Sequence, residues 1–152
     1  MLSANPSLLA GSGISGILHK AAGNELEKAA KPLGPLSPGQ AVITPAFNLP
    51  AKYVVHTVCP RYIEGTAQEK ENLAQAYRSA LGFYNKVPDV NGISFVSMGT
   101  GIYKWPQELA AEISVRELMK SSFEVTTVCV LDNEVRAVYR KVYEKLKGIA
   151  KD

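Results

Sequence analysis

A chain of 152 residues, 46% of them hydrophobic, suffices for one domain with one ordinary core, and it contains no apolar run long enough to cross a bilayer. Its 17 basic and 14 acidic residues leave a formal charge of +3, which favours the approach of an anion but is too small and too scattered to argue for nucleic acid alone. The opening Met1-Leu2-Ser3-Ala4-Asn5-Pro6 lacks the basic n-region of a signal peptide, so a cytoplasmic protein is expected. Cys59 and Cys129 both sit in apolar, strand-like runs and are expected as buried free thiols; with two histidines they show no zinc spacing, and no metal site is expected.

In chain order, Ser15 to Ala30 reads as helix with a break at Gly23, and Lys31 to Gly39, with Pro32, Pro35 and Pro38, reads as a loop. Gln40 to Thr44 and Tyr53 to Val58 are predicted strands, rich in valine, isoleucine and threonine. Thr66 and Glu69 have capping-box spacing for a helix reaching about Tyr84, with Leu73, Tyr77, Ala80, Leu81 and Tyr84 on its apolar face. Ile93 to Met98 is a predicted strand. Pro106 opens the next helix as an early helical residue, with Leu109, Ile113 and Leu118 turned inward. Phe123 to Leu131 is a continuous apolar strand, and Asp132 caps a last helix with Val135, Val138, Tyr139, Val142 and Leu146 on its inner face. Strands alternating with helices, some apolar throughout, predict an α/β fold whose sheet is covered on both faces. The lysines of the last helix read as its solvated face.

Two glycine-punctuated loops carry the functional signal. Leu8-Leu9-Ala10-Gly11-Ser12-Gly13-Ile14-Ser15-Gly16 runs into a helix, and Gly99-Thr100-Gly101-Ile102-Tyr103 follows an apolar strand. Glycine lets backbone approach a ligand closely, and successive amides at a helix start attract anions, so two such loops at one sheet edge would grip a diphosphate. Gly11, Gly13 and Gly16 satisfy G-x-G-x-x-G, but the dinucleotide fold wants a strand directly before the loop and an acidic residue ending the next strand, and Gln40 to Thr44 ends without one. Neither loop ends in Gly-Lys-Ser/Thr, which excludes a Walker A loop.

The stretch from Ser3 through Gly23, the strands Gln40 to Pro45 and Asn48 to Val58, and Thr100-Gly101-Ile102-Tyr103 with Pro106 after it resemble, in order, the first ligand loop and helix, the following strands and the second phosphate loop of macrodomains. The resemblance covers nearly the whole chain. It implies a single macrodomain over residues 1–152, a three-layer α/β/α fold with a mixed central sheet, and a cleft for ADP-ribose at the strand ends. By position, Gly11, Ser12, Gly13 and Ile14 would line the diphosphate and distal ribose, Gly99, Thr100, Gly101 and Ile102 would wrap the phosphates from the other side, and Tyr103 would lie against the distal ribose. Asn5 matches the asparagine that orients that ribose in the hydrolytic branch, which includes O-acetyl-ADP-ribose deacetylases and ADP-ribosyl ester hydrolases. ADP-ribose or an ADP-ribosylated protein is the implied partner, and neither cofactor nor metal is implied.

Three departures bear on that expectation. Ser15 stands where the hydrolytic branch has an aspartate that helps position or activate water, and a hydroxyl is a far poorer base at neutral pH. Leu131 stands where many members place an aromatic ring near the adenine. Members also have one or two strands ahead of the asparagine motif; a sheet shortened there bares an edge, which invites pairing with a second chain, so both a monomer and an edge-paired dimer stay open. The alternatives to an ADP-ribose-binding hydrolase are a non-catalytic module for ADP-ribose or poly(ADP-ribose), an RNA-binding module, and a domain kept for assembly. His19 is read as a helix-packing or capping residue with catalysis as its alternative, and His56 as a satisfied core or edge histidine.

Overall fold

The structure, a computed structural model, describes the chain except residues 5, 12, 97–103, 131 and 152, with the side chains at 2, 3, 13, 14, 96 and 149–151 also outside the description. The expected segments Met98 and the second glycine loop therefore lie outside the described residues, as does Leu131 at the end of the last strand.

Strand β1 (Leu2–Ser3) leads into helix α1 (Gly13–Ala22) and, after a break at Gly23, helix α2 (Asn24–Ala30). The break is where the sequence puts it: Gly23 has φ 96°, a left-handed conformation that glycine takes without strain. Strands β2 (Ala41–Pro45) and β3 (Tyr53–Thr57) follow, then helix α3 (Ala67–Leu81), which a short 3-10 turn (Gly82–Asn85) extends toward the predicted end. Strand β4 (Gly92–Val96), helix α4 (Gln107–Leu118), strand β5 (Val125–Cys129) and helix α5 (Asn133–Lys151) complete the chain.

Local chemistry sets these boundaries. Thr66 accepts from the Glu69 amide, while the Glu69 carboxylate accepts the amides of Ile63, Glu64 and Gly65, so one side chain closes both the loop and the first turn of α3. Pro106 takes the N-cap position of α4 rather than lying inside it, in an extended conformation with ψ 134°. Asp132 caps α5 through the Val135 amide at 2.8 Å.

The central layer is split. β1 pairs parallel with β3 and β2 pairs antiparallel with β3, giving one mixed sheet in the order β1-β3-β2; β4 and β5 form a separate parallel pair. α1 and α2 cover one face of the first sheet through Leu26, Ala22 and Val54. α3 and α4 cover the opposite face, where Leu73, Tyr77, Phe95, Trp105 and Leu118 form the largest core cluster, and α5 closes onto α4 through Tyr139, Val142 and Leu146. Arg78 of α3 donates to the buried carboxylate of Glu117 on α4 at 3.0 Å, tying the two helices. The arrangement is three-layered, α/β/α.

β5 departs from its expected burial. Its residues alternate, with Val125 57% exposed and Cys129 exposed, because the face that carries Ser94, Val125, Thr127 and Cys129 is open to solvent among the described residues. An apolar run signals burial on both faces only where both faces are covered, and here one is bare. Cys129 is thus an exposed thiol, whereas Cys59 is buried as expected.

Between α1 and the first sheet lies a buried imidazole pair. His56 is fully buried, accepts or donates at Nε2 with the Thr44 hydroxyl at 2.9 Å, and has no partner at Nδ1 among the described residues; the expected satisfaction is half achieved there. Burial, His19 at 6.3 Å between ring centroids, and the Met1 ammonium together pull its pKa down to about 4. Because the folded pKa lies below the unfolded value near 6.5, the unfolded chain binds the extra proton between those pH values, and stability falls as pH drops through that window. Thermal unfolding from pH 7 to pH 4 should show a falling Tm, with at most roughly 3 kcal/mol from this group at about 1.4 kcal/mol per pH unit, and the double change Thr44→Val with His56→Leu should flatten the slope. An unchanged slope in that variant would assign the acid sensitivity elsewhere.

Candidate nucleotide site at the end of β3

The carboxyl end of β3 gathers the flanks of both glycine loops. Directly after β1, Ala4 donates its amide to Thr57 O at 2.8 Å, so the chain enters the first loop alongside the last residue of β3. On the other side, Trp105 follows the second loop by two residues, is 2% exposed, and donates its indole N–H to Pro60 O at 2.8 Å. Tyr62 meets that indole edge-on at 5.1 Å. A buried indole N–H rarely goes unpaired, and here its partner lies three residues beyond β3. Thr57 to Pro60 is therefore the common anchor of two segments far apart in sequence.

The first loop is shaped from below. Leu8 is fully buried at φ 59°, an uncommon conformation for a leucine, packed with Ala4 and Ala30 and lying under Gly34; Pro6 O accepts the Leu36 amide at 2.8 Å. Gly11 is exposed and Gly13 opens α1. A Cβ at Gly16 would collide with the carbonyl of Gly11, so the loop folds back against the first turn of the helix in a way only glycine allows. The third glycine of the fingerprint-like pattern thus serves backbone packing. The first amides of α1 have no intrahelical acceptors, and no acidic side chain occupies the first turn, which leaves the helix start favourable to an anion.

Beneath that start, Ser15 is 9% exposed and its hydroxyl has no partner among the described residues, and His19, one turn on along the same face, is 6% exposed with Nδ1 likewise unpartnered among them. Burial lowers the pKa of His19, against a smaller opposing pull from Glu27, which favours a neutral imidazole. Two buried polar groups without partners in one helix face are rare enough to mark a site rather than a core. Cys59 is no nucleophile: burial pushes its thiol up to about 12. Among the described residues no three of His, Cys, Asp and Glu come together to hold a metal ion.

Of the residues expected to form the site, the described ones, Gly11, Gly13, Ile14 and Ser15, fall together at the start of α1, though the side chain of Ile14 is outside the description. Asn5, Ser12, Gly99, Thr100, Gly101, Ile102, Tyr103 and Leu131 lie outside the described residues. The role of Trp105 as the tether of the second loop rests on a distant carbonyl that no local pattern announces. Pro60 carried no such signal, and nothing in the sequence marked Leu8 for its left-handed backbone.

The Macro domain family profile matches residues 2–114. A protein of Fusobacterium nucleatum is 41% identical over 96% of this chain and 86% of its own length. A Klebsiella pneumoniae protein named O-acetyl-ADP-ribose deacetylase is 39% identical over 91% of this chain and 84% of its own length. Among solved structures, the Oceanobacillus iheyensis macrodomain with ADP superimposes with a TM-score of 0.88 at 33% identity, covering 99% of this chain and 84% of that one, and a variant of it with ADPR superimposes with a TM-score of 0.87 at 32% identity, covering 99% and 85%. The chain belongs to the macrodomain family.

Proposed function

We propose that this macrodomain binds ADP-ribose, free or attached to protein, in a cleft between its two glycine loops. The observation that carries the reading is the shared anchor: Ala4 on Thr57 and Trp105 on Pro60 hold the flanks of both loops at one end of β3. Relatives solved with ADP and ADPR support the ligand class. In this reading Gly11, Ser12, Gly13 and Ile14 hold the diphosphate and distal ribose from the helix side, Gly99, Thr100, Gly101 and Ile102 close over the phosphates, Tyr103 packs on the distal ribose, and Asn5 orients it. Leu131 offers an aliphatic surface to the adenine in place of a ring, so adenine discrimination is weak. The protein acts in the cytoplasm.

A second reading, hydrolysis of O-acetyl-ADP-ribose or of ADP-ribosyl esters, is favoured by the orphaned hydroxyl of Ser15 and the neutral imidazole of His19 below it. Water attacks the ester carbonyl, the acyl–oxygen bond breaks, and the ribose hydroxyl leaves with a proton. Ser15 fixes the water through its hydroxyl, and positioning supplies most of the acceleration. A relative named as a deacetylase supports this reading.

Calorimetric titration with ADP-ribose should give saturable heat with a Kd of roughly micromolar order, and Gly101→Glu should abolish it by placing a carboxylate against the phosphates. Absence of heat in the parent would end the binding proposal. Trp105→Phe keeps most of the ring but strips Pro60 O of its donor, which should lower stability by about 1–3 kcal/mol and weaken ADP-ribose binding together, as read by Tm and titration on the same sample. Retained affinity in a destabilised variant would sever the tether from the site. Ser15→Asp should raise acetate release from O-acetyl-ADP-ribose by roughly a hundredfold, as expected for a positioned general base; an ADP-ribose-binding variant without release would leave the chain a binder only.

A further inference from the structure

Two exposed side chains beside the loop anchor are held in place without any benefit to packing. Lys104, the residue before Trp105, has φ 63°, a left-handed conformation that glycine takes freely and a lysine takes under strain. At Leu8 a similar angle is offset by complete burial against Ala4 and Ala30. Lys104 is exposed, and its ammonium makes no ion pair or hydrogen bond among the described residues. The buried Trp105 after it, tied to Pro60 O, fixes the backbone at this point. Strain kept under a solvent-facing charge points to a role outside the fold.

Ile63 is the second such residue. At 74% it is the most exposed of the large hydrophobic residues described. A lone isoleucine on a surface is ordinary, but this one sits on a clamped loop. The Glu69 carboxylate accepts the amides of Ile63, Glu64 and Gly65 at 2.9, 3.2 and 3.0 Å, and Gly65 lies so close to the Tyr62 hydroxyl that a Cβ there would collide with it. Tyr62 in turn meets Trp105 edge-on at 5.1 Å. Ile63 follows one of these rings in the chain and Lys104 precedes the other, so a single aromatic contact brings both side chains to the exit of the second glycine segment.

We propose that Ile63 and Lys104 form a rim that selects the polypeptide to which ADP-ribose is attached, favouring a segment with carboxylates next to the modified residue. The inference rests on the cleft reading given above, in which Tyr103 packs on the distal ribose, the end through which ADP-ribose is joined to protein. Lys104 is the next residue, so the rim stands where a polypeptide leaves the cleft. Charge assigns the partner's chemistry: Arg61 and Lys104 are exposed cations, Glu64 is the one exposed carboxylate in the clamped loop, and an acidic segment with an apolar side chain complements that balance. Free ADP-ribose ends at the distal ribose and does not reach the rim. The two residues therefore decide which modified proteins bind, not whether the nucleotide does.

The test compares three ligands by calorimetric titration of the intact chain. They are ADP-ribose alone, ADP-ribose joined through a hydrolysis-stable aminooxy linkage to a short peptide with glutamates flanking the joined residue, and the same conjugate with lysines there. The glutamate conjugate should bind roughly fivefold more tightly than the lysine conjugate, the modest size expected of exposed charges, and the difference should shrink in raised salt. Lys104→Gly should bring the conjugates to within about twofold of each other, leave free ADP-ribose binding unchanged and cause no loss of Tm, because glycine relieves the strained angle. Lys104→Gln, which keeps the length of the side chain and removes its charge, should erase the preference in the same way. Ile63→Ser should weaken both conjugates alike by roughly threefold and spare free ADP-ribose. Conjugates bound equally by the parent, or a Lys104→Gly variant that loses free ADP-ribose in the same proportion, would overturn the proposal and leave the cleft reading standing. No heat with any of the three ligands would overturn both.

Discussion

The segment from Thr57 to Pro60 is the hinge point of the molecule. It leaves β3 fully buried, and two carbonyls on it receive donors from opposite ends of the sequence, Ala4 at one and Trp105 at the other. Neither bond is strong alone, at about 1 kcal/mol net for a typical hydrogen bond. Their value is positional: each fixes the entry or exit of a glycine-punctuated segment. A binding loop has to be held at its base and free at its tip, and these tethers supply the base.

The first loop shows how far that holding goes. Leu8 takes a left-handed conformation in a fully buried position, a local cost that the packing of Ala4, Ala30 and Leu36 around it offsets. Gly16 removes the one side chain that would push the loop off the helix. Below, Ser15, His19 and His56 each keep a buried polar atom without a partner among the described residues. A core built for stability alone would not retain three such atoms in adjacent positions, since each costs desolvation without return. Their persistence next to the helix start fits a surface prepared for a polar ligand.

Much of this was legible in the residues because it is local. Helix ends at Gly23, Thr66 and Asp132 follow from single side chains or a single φ angle, and the glycine spacing of the first loop maps onto one turn of backbone. What was not legible is what depends on partners distant in sequence. The tether from Trp105 to Pro60 spans 45 residues, and the half-satisfied state of His56 depends on which helix covers it. The exposure of Cys129 has the same origin: valine-rich β5 reads as buried on both faces, yet burial is decided by whether another element packs against it, and among the described residues this face is open.

That split sheet joins the fold to the site. β3 carries the loop anchor just past its end, and β4 leads in sequence directly into the second glycine segment. With only a two-residue β1 between them, β3 and β4 are coupled by Met1 at Ser94 and by side-chain packing, rather than by a ladder. The two glycine segments thus spring from different strands, so the packing that fixes β3 against β4 also sets the separation at which those segments begin.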